Sequence, residues 1–310
     1  MIPFFSARHV EAAVPPERAY EAVRAAFIAH ARGEWTMQPK LYVTNYPAGD
    51  FRAMPALGGG YALLKWVTSF PGNPGRGLPT VSGLVILSNA ETGVVEAVLE
   101  AGSVTALRTG AAAALAAETL GAPGGSATVI GAGVNGRACA RSLKALARDV
   151  LLWDVEGERA RSVAAELGIG VASSREEALG ADVVVTVTPG RQILLPEGSL
   201  RPGQHVSLMG ADGPSKAEIA VAEIRRTSIY CDEWEQASHG GDLAAAVESG
   251  AVGRDDVTEL GAVLLGDSPG RQSPDDITLF DSTGLAIQDL AIAIAALERA
   301  DAHDLQPIDL

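Results

Sequence analysis

A glycine-rich turn between an apolar run and an amphipathic segment is the feature that most constrains how this chain can fold. The apolar run covers residues 127–130 and the amphipathic segment continues to Leu146. This order predicts a strand, a tight turn and the start of a helix, the context in which a GxGxxG motif binds a dinucleotide. Glycines let backbone N–H groups and the helix N-terminus contact a pyrophosphate, which β-carbons at the glycine positions would obstruct. The turn residues, all predicted to bind the cofactor, are Gly131, Ala132, Gly133, Val134, Asn135 and Gly136.

A second apolar run, residues 150–153, favours dinucleotide binding over an ordinary glycine-rich turn. It ends at Asp154, 23 residues after Gly131. A carboxylate at the tip of the second strand accepts hydrogen bonds from a ribose diol and repels a 2′-phosphate, so NAD is the expected cofactor. The cations that follow, Arg159 and Arg161, belong to the next predicted helix.

Strand-like runs recur after the turn, with helical patterns between several of them. They cover residues 183–187, 205–209, 228–231 and 277–280. Such alternation predicts an α/β fold whose parallel sheet carries helices on both faces, that is, a Rossmann domain. Ligands of these sheets lie at the carboxyl ends of the strands, which here include Asp154, Thr188 and the Gly210-Ala211-Asp212 stretch.

The N-terminal part has a different pattern of short elements separated by proline and glycine. The predicted elements are a helix from Pro15 to Arg32, strands at 40–44 and 61–67, a hairpin of strands 81–87 and 94–99, and a helix from Val104 to Leu120 capped by Ser103. Glycine and proline after Leu120 end the last helix. A domain boundary is therefore expected between Arg108 and Ser126.

Composition excludes several classes of protein. The chain has 24 Lys and Arg against 38 Asp and Glu, a net charge of −14, which argues against a general nucleic-acid or membrane-surface role. Two cysteines are too few for a disulfide framework and are expected to be reduced. Because the chain shows neither a signal-like segment nor an apolar run of membrane length, we expect a cytoplasmic protein.

Three cations stand within apolar or glycine-rich stretches of the N-terminal part. Lys65 is the clearest, because it interrupts the run 62–67. A buried lysine without an anionic partner is costly, so Lys65 lies either on an edge strand, in a structural ion pair or in a ligand site. With Arg52 and Arg108 it would form a clamp for a substrate carboxylate, to which the guanidinium fork is well suited.

Polar residues at predicted strand ends form three further candidate sites. Asp212 follows a strand among small residues and is a general acid/base candidate, or else a helix cap. The hydroxyls of Ser282 and Thr283 could contact cofactor or substrate, or cap the last helix. The acidic stretch 231–242 follows no metal-ligand spacing, so we interpret it as a strand end and a helix cap and expect no metal.

The chain resembles the ornithine cyclodeaminase/μ-crystallin family over nearly its whole length. The motifs that carry the resemblance are Arg52 with Met54-Pro55, Lys65, Gly77 to Val81, Leu107 to Ala112, Gly131 to Gly136, Gly210-Ala211-Asp212 with Lys216, and Asp281-Ser282 with Gly284. The resemblance implies a homodimer. It also implies a discontinuous α+β substrate-binding and dimerisation domain, residues 1–118 with 286–310, beside a Rossmann NAD-binding domain at 119–285.

The resemblance further implies roles for individual residues. Lys65, Arg52 and Arg108 would bind the substrate carboxylate, with Thr283 also at the substrate. Asp212 would transfer protons, with Lys65 polarising the developing carbonyl. The residues expected at the cofactor, besides the glycine turn, are Thr80, Arg108, Thr109, Asp154, Thr188, Met209, Lys216 and Ser282.

Family activities differ, and one position helps to choose among them. In the family that this chain resembles, ornithine cyclodeaminases carry a Glu before the Met-Pro pair, and this Glu holds the side-chain amine of ornithine. This chain has Arg52 at that position. The segments FRAMPA and GNPGRGLPTV are similar to the corresponding segments of archaeal-type alanine dehydrogenases, so NAD-dependent oxidation of L-alanine is the leading expectation. The alternatives are a cyclic ketimine or imine reductase, another activity of the family, and a μ-crystallin-like ligand-binding protein without catalysis.

Overall fold

The structure is a computed structural model that describes residues 1–190, 192–211, 213 and 216–309. It divides into two compact units, which we call unit 1 (Met1–Arg108 with Leu285–Leu310) and unit 2 (Thr109–Gly284). The first division lies within a helix, whereas the sequence placed the boundaries after residues 118 and 285.

The N-terminal part of unit 1 consists of two helices and a series of strands. In chain order these elements are β1 (Ile2–Phe5), α1 (Ala7–Ala13), α2 (Pro16–Ala31), β2 (Thr36–Met37), β3 (Leu41–Asn45), β4 (Gly49–Gly58), β5 (Tyr61–Ser69), a 3₁₀ turn (Asn73–Arg76), β6 (Val81–Asn89) and β7 (Val95–Glu100). Helix α3 (Ala101–Leu120) follows, and its residues from Thr109 onward belong to unit 2.

Strands and helices alternate through unit 2, and the chain then returns to unit 1. The elements of unit 2 are β8 (Ala127–Ile130), α4 (Val134–Ala145), β9 (Val150–Trp153), α5 (Gly157–Leu167), β10 (Gly170–Val171), α6 (Arg175–Leu179), β11 (Val183–Thr186), β12 (His205–Leu208), α7 (Val221–Ile224), β13 (Ser228–Cys231), α8 (Trp234–Gly240), α9 (Ala244–Glu248), β14 (Val257–Glu259), α10 (Leu260–Leu265) and β15 (Thr278–Asp281). The returning segment forms α11 (Ala286–Leu297) and β16 (Gln306–Ile308).

The sheet of unit 2 is parallel in every pairing between described strands, in the order β10-β9-β8-β11-β12-β15-β13-β14. Strands β8, β11, β12 and β15 in its middle are fully buried, as expected of a parallel sheet between two helical layers. The direction of winding reverses between β8 and β11, and ligands of such sheets bind at the carboxyl ends of the strands beside this reversal. The predicted α/β class is confirmed.

The sheet of unit 1 is mostly antiparallel, in the order β16-β1-β7-β6-β5-β4-β2, with β3 also paired to β4. Side chains of a strand alternate between its two faces. One face of β4 and β5 packs against α11 and buries Arg52, Met54 and Lys65. The opposite face leaves Trp66 and its neighbour Leu84 on β6 more than two-fifths exposed.

The sequence did not predict β4, because Gly49, Pro55 and Gly58 read as breaks. Pro55 is tolerated because its backbone faces a gap: β3 pairs with β4 only as far as Ala53, and β2 pairs from Ala56 onward. The carbonyl of Pro55 accepts from Gln38 on that side, so the missing N–H falls where no ladder bond is needed.

Helix α3 begins earlier than predicted, and its cap is a different residue. The carboxylate of Glu100 accepts from the backbone N–H groups of Gly102 and Ser103, both at 2.7 Å. The predicted Ser103 cap was wrong, because that hydroxyl donates to the Glu100 carbonyl from within the first turn. Among the helices of the described residues, none has both the length and the apolar character to span a membrane.

Candidate functional site

Lys65 occupies a fully enclosed position in unit 1. Its side chain is 1% exposed, and its ammonium donates a 2.8 Å hydrogen bond to Oδ1 of Asp289, which is 0% exposed. Burial lowers the pKa of Lys65 to about 8, Asp289 opposes this shift, and the charges of Arg108 and Arg52 add to it. The sequence required an anionic partner for a buried Lys65, and that partner is Asp289.

Arg108 shares the same carboxylate. Its Nε lies 3.8 Å from Oδ1 of Asp289, and within the described residues neither this Nε nor Oδ2 of Asp289 has a hydrogen-bond partner. We call Lys65, Arg108 and Asp289 the Lys65 cluster. It places two cations against one carboxylate, and buried charge that is incompletely paired is costly. A second anion beside the two cations would balance the cluster.

Arg52 is engaged by an acidic residue two positions earlier on the same face of β4. Its Nε donates to Oδ1 of Asp50 at 2.6 Å and its Nη2 to Oδ2 at 3.3 Å. Both side chains are at least nine-tenths buried. The hydroxyl of Tyr46 also donates to Asp50, and the guanidinium lies 5.3 Å from the centre of the Tyr42 ring. Asp50 therefore occupies part of the guanidinium fork that the sequence assigned to substrate.

The glycine turn of unit 2 has the geometry that its sequence predicts. Gly131 has a φ of +111°, which disfavours any side chain. A β-carbon at Gly136 would overlap the carbonyl oxygen of Gly131, so only glycine lets α4 pack this closely on β8. Gly133 precedes the first turn of α4 with nothing within 4 Å of its β-carbon position. This leaves open space at a helix N-terminus, where a pyrophosphate is favoured.

Asp154 lies directly after β9 and is oriented by the glycine turn. Its Oδ2 accepts from the N–H of Ala132 at 2.7 Å, and its Oδ1 accepts from the N–H of Glu156 at 2.8 Å. The guanidinium of Arg159 approaches Oδ2 at 3.8 Å and also pairs with Glu156 at 2.7 Å. The residues of the turn and Asp154 thus fit a dinucleotide. An arginine is nearer to Asp154 than the sequence indicated.

A buried glutamate joins the ends of β11 and β12. Glu218 accepts from the hydroxyl of Thr186 at 2.8 Å, from the N–H and hydroxyl of Thr188 at 2.9 and 2.5 Å, and from the N–H of Gly210 at 3.2 Å. Burial raises the pKa of Glu218, whereas these four donors lower it. The hydroxyl of Thr188, a residue predicted at the cofactor, therefore donates its hydrogen bond to Glu218.

The segment between Gly210 and Glu218 contains two of the predicted residues. Asp212, the predicted proton-transfer group, lies outside the described residues. Lys216 lies in the described part, next to Ala217, whose N–H donates to the Gly190 carbonyl at 2.9 Å. Met209, directly before this segment, is buried, and its N–H donates to the Thr186 carbonyl at 2.8 Å.

Further carboxylates are buried behind these strand ends. Asp242 accepts from the N–H of Glu218, and burial together with the charge of Glu218 raises the pKa of Asp242 to about 7. Asp281 accepts from the N–H of Leu243 at 3.0 Å, and burial raises its pKa well above the usual range. One oxygen of each, Oδ2 of Asp242 and Oδ1 of Asp281, has no hydrogen-bond partner among the described residues.

Asp232 accepts hydrogen bonds from three residues of the turn before α11. It accepts from the hydroxyls of Ser282 at 3.1 Å and Thr283 at 3.2 Å, and from the N–H of Gly284 at 2.7 Å. Both predicted site hydroxyls therefore donate to this carboxylate. The neighbouring Glu233 accepts from the N–H groups of Glu235 and Gln236, which confirms the predicted helix cap in the stretch 231–242.

Two predicted threonines remain without a shown role. The Thr80 carbonyl accepts from the N–H of Phe70 at 2.8 Å in unit 1. Thr109, in unit 2, is 2% exposed. The sequence analysis assigned no site role to Asp289, Asp50, Glu218 or Asp242, each of which contacts a predicted residue or its loop. Asp50 could have been found by its i, i+2 spacing from Arg52, had β4 been predicted.

Known proteins match this chain along nearly its whole length. The model of the ornithine cyclodeaminase/mu-crystallin family matches residues 4–304. An alanine dehydrogenase of Archaeoglobus fulgidus is 42% identical over 301 residues, 94% of this chain and 92% of that protein. An iminosuccinate reductase of Paracoccus denitrificans is 34% identical over 309 residues, 94% of this chain and 95% of that protein. A solved archaeal alanine dehydrogenase dimer with bound NAD has a TM-score of 0.92 at 40% identity, covering 97% of this chain and 96% of that chain.

Proposed function

The chain belongs to the ornithine cyclodeaminase/mu-crystallin family, and from this premise we propose that it is an NAD-dependent dehydrogenase of a small α-amino acid. Its relatives place it among the amino-acid and imine oxidoreductases and cyclodeaminases. L-alanine is the lead substrate, supported by 42% identity to an alanine dehydrogenase.

The Lys65 cluster is the observation that carries this proposal. Lys65 and Arg108 are held against one shared carboxylate, so one more anion is needed to balance them. The α-carboxylate of an amino acid supplies that anion and forms charge-assisted hydrogen bonds with both cations. Its fixed position would orient the α-carbon for reaction, which is a large part of catalysis.

The glycine turn and Asp154 support NAD as the cofactor, which accepts the hydride from the α-carbon when bound. Open space at the N-terminus of α4 suits the pyrophosphate, and the carboxylate after β9 suits an unmodified ribose diol. Unit 2 is then the NAD-binding domain. Unit 1 is the substrate-binding and dimerisation domain.

Proton transfer is assigned to Asp212, which follows β12 directly after Gly210 and Ala211. Loss of a hydride leaves an iminium carbon, to which water adds before ammonia leaves. Asp212 would take the proton from water and return one to the amine, a role that typically contributes ~10²–10⁴-fold in rate. Lys65 would stabilise the developing carbonyl oxygen.

The homodimer is proposed from an exposed apolar face on the sheet of unit 1. This sheet face consists of Leu41, Leu64, Trp66 and Leu84. Trp66 pairs with Leu84 on one side and with Ala53 on the other, and Ala53 pairs with Leu41. A continuous apolar patch on a sheet marks an interaction surface.

A substrate panel tests the function directly. The purified protein is assayed with α-amino acids and NAD⁺ or NADP⁺, and with 2-oxo acids, ammonia and the reduced cofactors, by following nicotinamide absorbance. We expect the highest kcat/KM with L-alanine and NAD⁺, and no proline formation from ornithine. Proline formation faster than oxidation of any α-amino acid would overturn the proposal.

A matched pair of lysine variants ties the activity to the Lys65 cluster. Lys65→Met is expected to raise KM for the amino acid at least ~tenfold, because a charged hydrogen-bond donor is lost, and to leave NADH affinity unchanged. Lys144→Met, at an exposed lysine that donates to the Leu167 carbonyl, should retain parent activity. Equal effects of the two substitutions would exclude the assigned role of Lys65.

A further inference from the structure

We propose that Asp50 is a specificity-determining residue: by holding Arg52 in a buried ion pair, it restricts the substrate to amino or imino acids with one carboxylate and an uncharged side chain. This inference rests on the proposed function. It assigns Arg52 to the side-chain end of the substrate rather than to the α-carboxylate.

Arg52 lies close to the Lys65 cluster on the same face of the sheet. Met54 is paired with Lys65, and Arg52 is paired with Val67 two positions further along β5. Strand residues two apart share a face, so Arg52 and Lys65 are diagonal neighbours beneath α11. The charge of Arg52 contributes to lowering the pKa of Lys65, which places the guanidinium within electrostatic reach of the ammonium.

The pairing with Asp50 changes what Arg52 can bind. Two of its nitrogens, Nε and Nη2, are directed at the two oxygens of Asp50. A second substrate carboxylate would have to displace Asp50, and two carboxylates competing for one guanidinium repel each other. A distal ammonium would instead meet the positive charge of Arg52. Both kinds of charged side chain are therefore disfavoured.

The side chain next to Arg52 on this face of β4 is uncharged. Met54, the next residue on the same face of β4, is 3% exposed and presents a thioether. Tyr42 covers the guanidinium from one side, and Tyr46 adds a hydroxyl donor to Asp50. These contacts fix the ion pair in place, so that Arg52 does not swing toward a second anion.

Charge variants at the two positions test the inference. The measured quantity is kcat/KM for L-aspartate divided by that for L-alanine. Asp50→Asn removes the anion that competes for the guanidinium and is expected to raise this ratio at least ~tenfold through a new charge-assisted contact. Asp50→Glu keeps the anion and should retain the parent ratio. The double variant Asp50→Asn with Arg52→Gln should lose the gain, because the guanidinium is absent.

Arg52→Gln provides an independent test, because it removes the guanidinium and keeps the Asp50 carboxylate. It is expected to raise kcat/KM for 2,4-diaminobutyrate relative to L-alanine, and melting temperatures are recorded for every variant. If Asp50→Asn melts below the assay temperature, the ratio measured with Arg52→Gln decides.

The outcomes separate this inference from the proposed function. A parent protein that turns over no amino or imino acid contradicts the proposed function itself. A parent active on L-alanine, with ratios within threefold of the parent in folded Asp50→Asn and Arg52→Gln, overturns only the specificity role. The ion pair would then serve to hold β4 in place.

Discussion

The ammonium of Lys65 on β5 and the carboxylate of Asp289 in the first turn of α11 form a buried ion pair with a separation of 2.8 Å. A carboxylate in the first turn of a helix is stabilised by the helix dipole. Asp289 offsets part of the cost of burying Lys65, because it opposes the lowering of the Lys65 pKa. Removing one partner of such a pair leaves the other charge uncompensated.

Asp289→Asn is expected to weaken binding of the amino-acid carboxylate by narrowing the pH range in which Lys65 is charged. The pKa of Lys65 is already lowered to about 8 by burial, and loss of the opposing anion lowers it further. The alkaline limb of kcat/KM for the amino acid should move to lower pH, with NADH affinity unchanged. A kcat/KM profile measured from pH 6 to 10 checks this.

Glu298→Gln is the matched control for that substitution. It makes the same change at the C-terminal end of α11, where Glu298 pairs with the partly exposed Arg18. Its pH profile should coincide with that of the parent. An Asp289→Asn profile that coincides as well would exclude an electrostatic role of Asp289 toward Lys65.

Asp154→Asn is expected to admit NADPH. The substitution removes the charge that repels a 2′-phosphate and leaves Arg159, whose guanidinium lies 3.8 Å from the Asp154 carboxylate, paired only with Glu156 among the acidic groups of this loop. The ratio of kcat/KM for NADPH to that for NADH should rise at least ~tenfold, because an arginine–phosphate contact is charge-assisted. Initial rates with each reduced cofactor measure it.

The two arginines of α5 supply the control for the cofactor prediction. Adding Arg159→Ala to Asp154→Asn should cancel the gain, whereas adding Arg161→Ala should preserve it, because Arg161 pairs with Glu158 instead. If neither arginine matters, any change in preference comes from the lost carboxylate alone.

The unit 2 fold could be predicted because its signals are local. The strand before Gly131, the glycines of the turn and the carboxylate after β9 lie within a short stretch of chain, and the structure places them as expected. Strand β10 gave no such signal, because it has only two residues and both are exposed.

The candidate site in unit 1 could be predicted only in part. Lys65 was identified because a cation interrupts an apolar run, but its partner lies 224 positions away in a helix. A single sequence carries no signal for a pair so distant. The pairing of Asp50 with Arg52 was not predicted for a local reason, since β4 contains glycine and proline and did not read as a strand.

Charge on the exposed sheet face is expected to dissociate the proposed homodimer. Trp66→Glu combined with Leu84→Glu places two carboxylates on paired residues of β5 and β6. Light scattering should show a dimer for the parent and a monomer for the double variant. Val94→Glu, at a residue that is 60% exposed in the β6–β7 turn, is the control and should leave the parent mass unchanged. A monomeric parent, or a dimeric double variant, would contradict the assignment of this face.

Asp242→Asn is expected to remove part of the pH dependence of the free energy of unfolding. Burial and the charge of Glu218 raise the pKa of Asp242 from 3.8 to about 7, and the charge of Asp242 in turn helps to raise the pKa of Asp281. A raised pKa means that the folded state binds more protons than the unfolded state between these values, so its stabilising contribution is lost as the pH rises. Asparagine cannot ionise, and its carbonyl can still accept the hydrogen bond from the N–H of Glu218.

From pH 5 to pH 8 the free energy of unfolding of the variant should therefore rise by ~2–3 kcal/mol relative to that of the parent, since the group titrates over about two pKa units in this range and each unit corresponds to about 1.4 kcal/mol. Denaturant unfolding at both pH values measures this difference. Asp182→Asn is the control of opposite sign: a hydrogen bond from Arg201 lowers the pKa of Asp182, so its contribution is already complete at pH 5. The difference between Asp182→Asn and the parent should stay constant over this range. A constant difference for Asp242→Asn as well would mean that Asp242 titrates as an ordinary carboxylate, despite its burial beside Glu218.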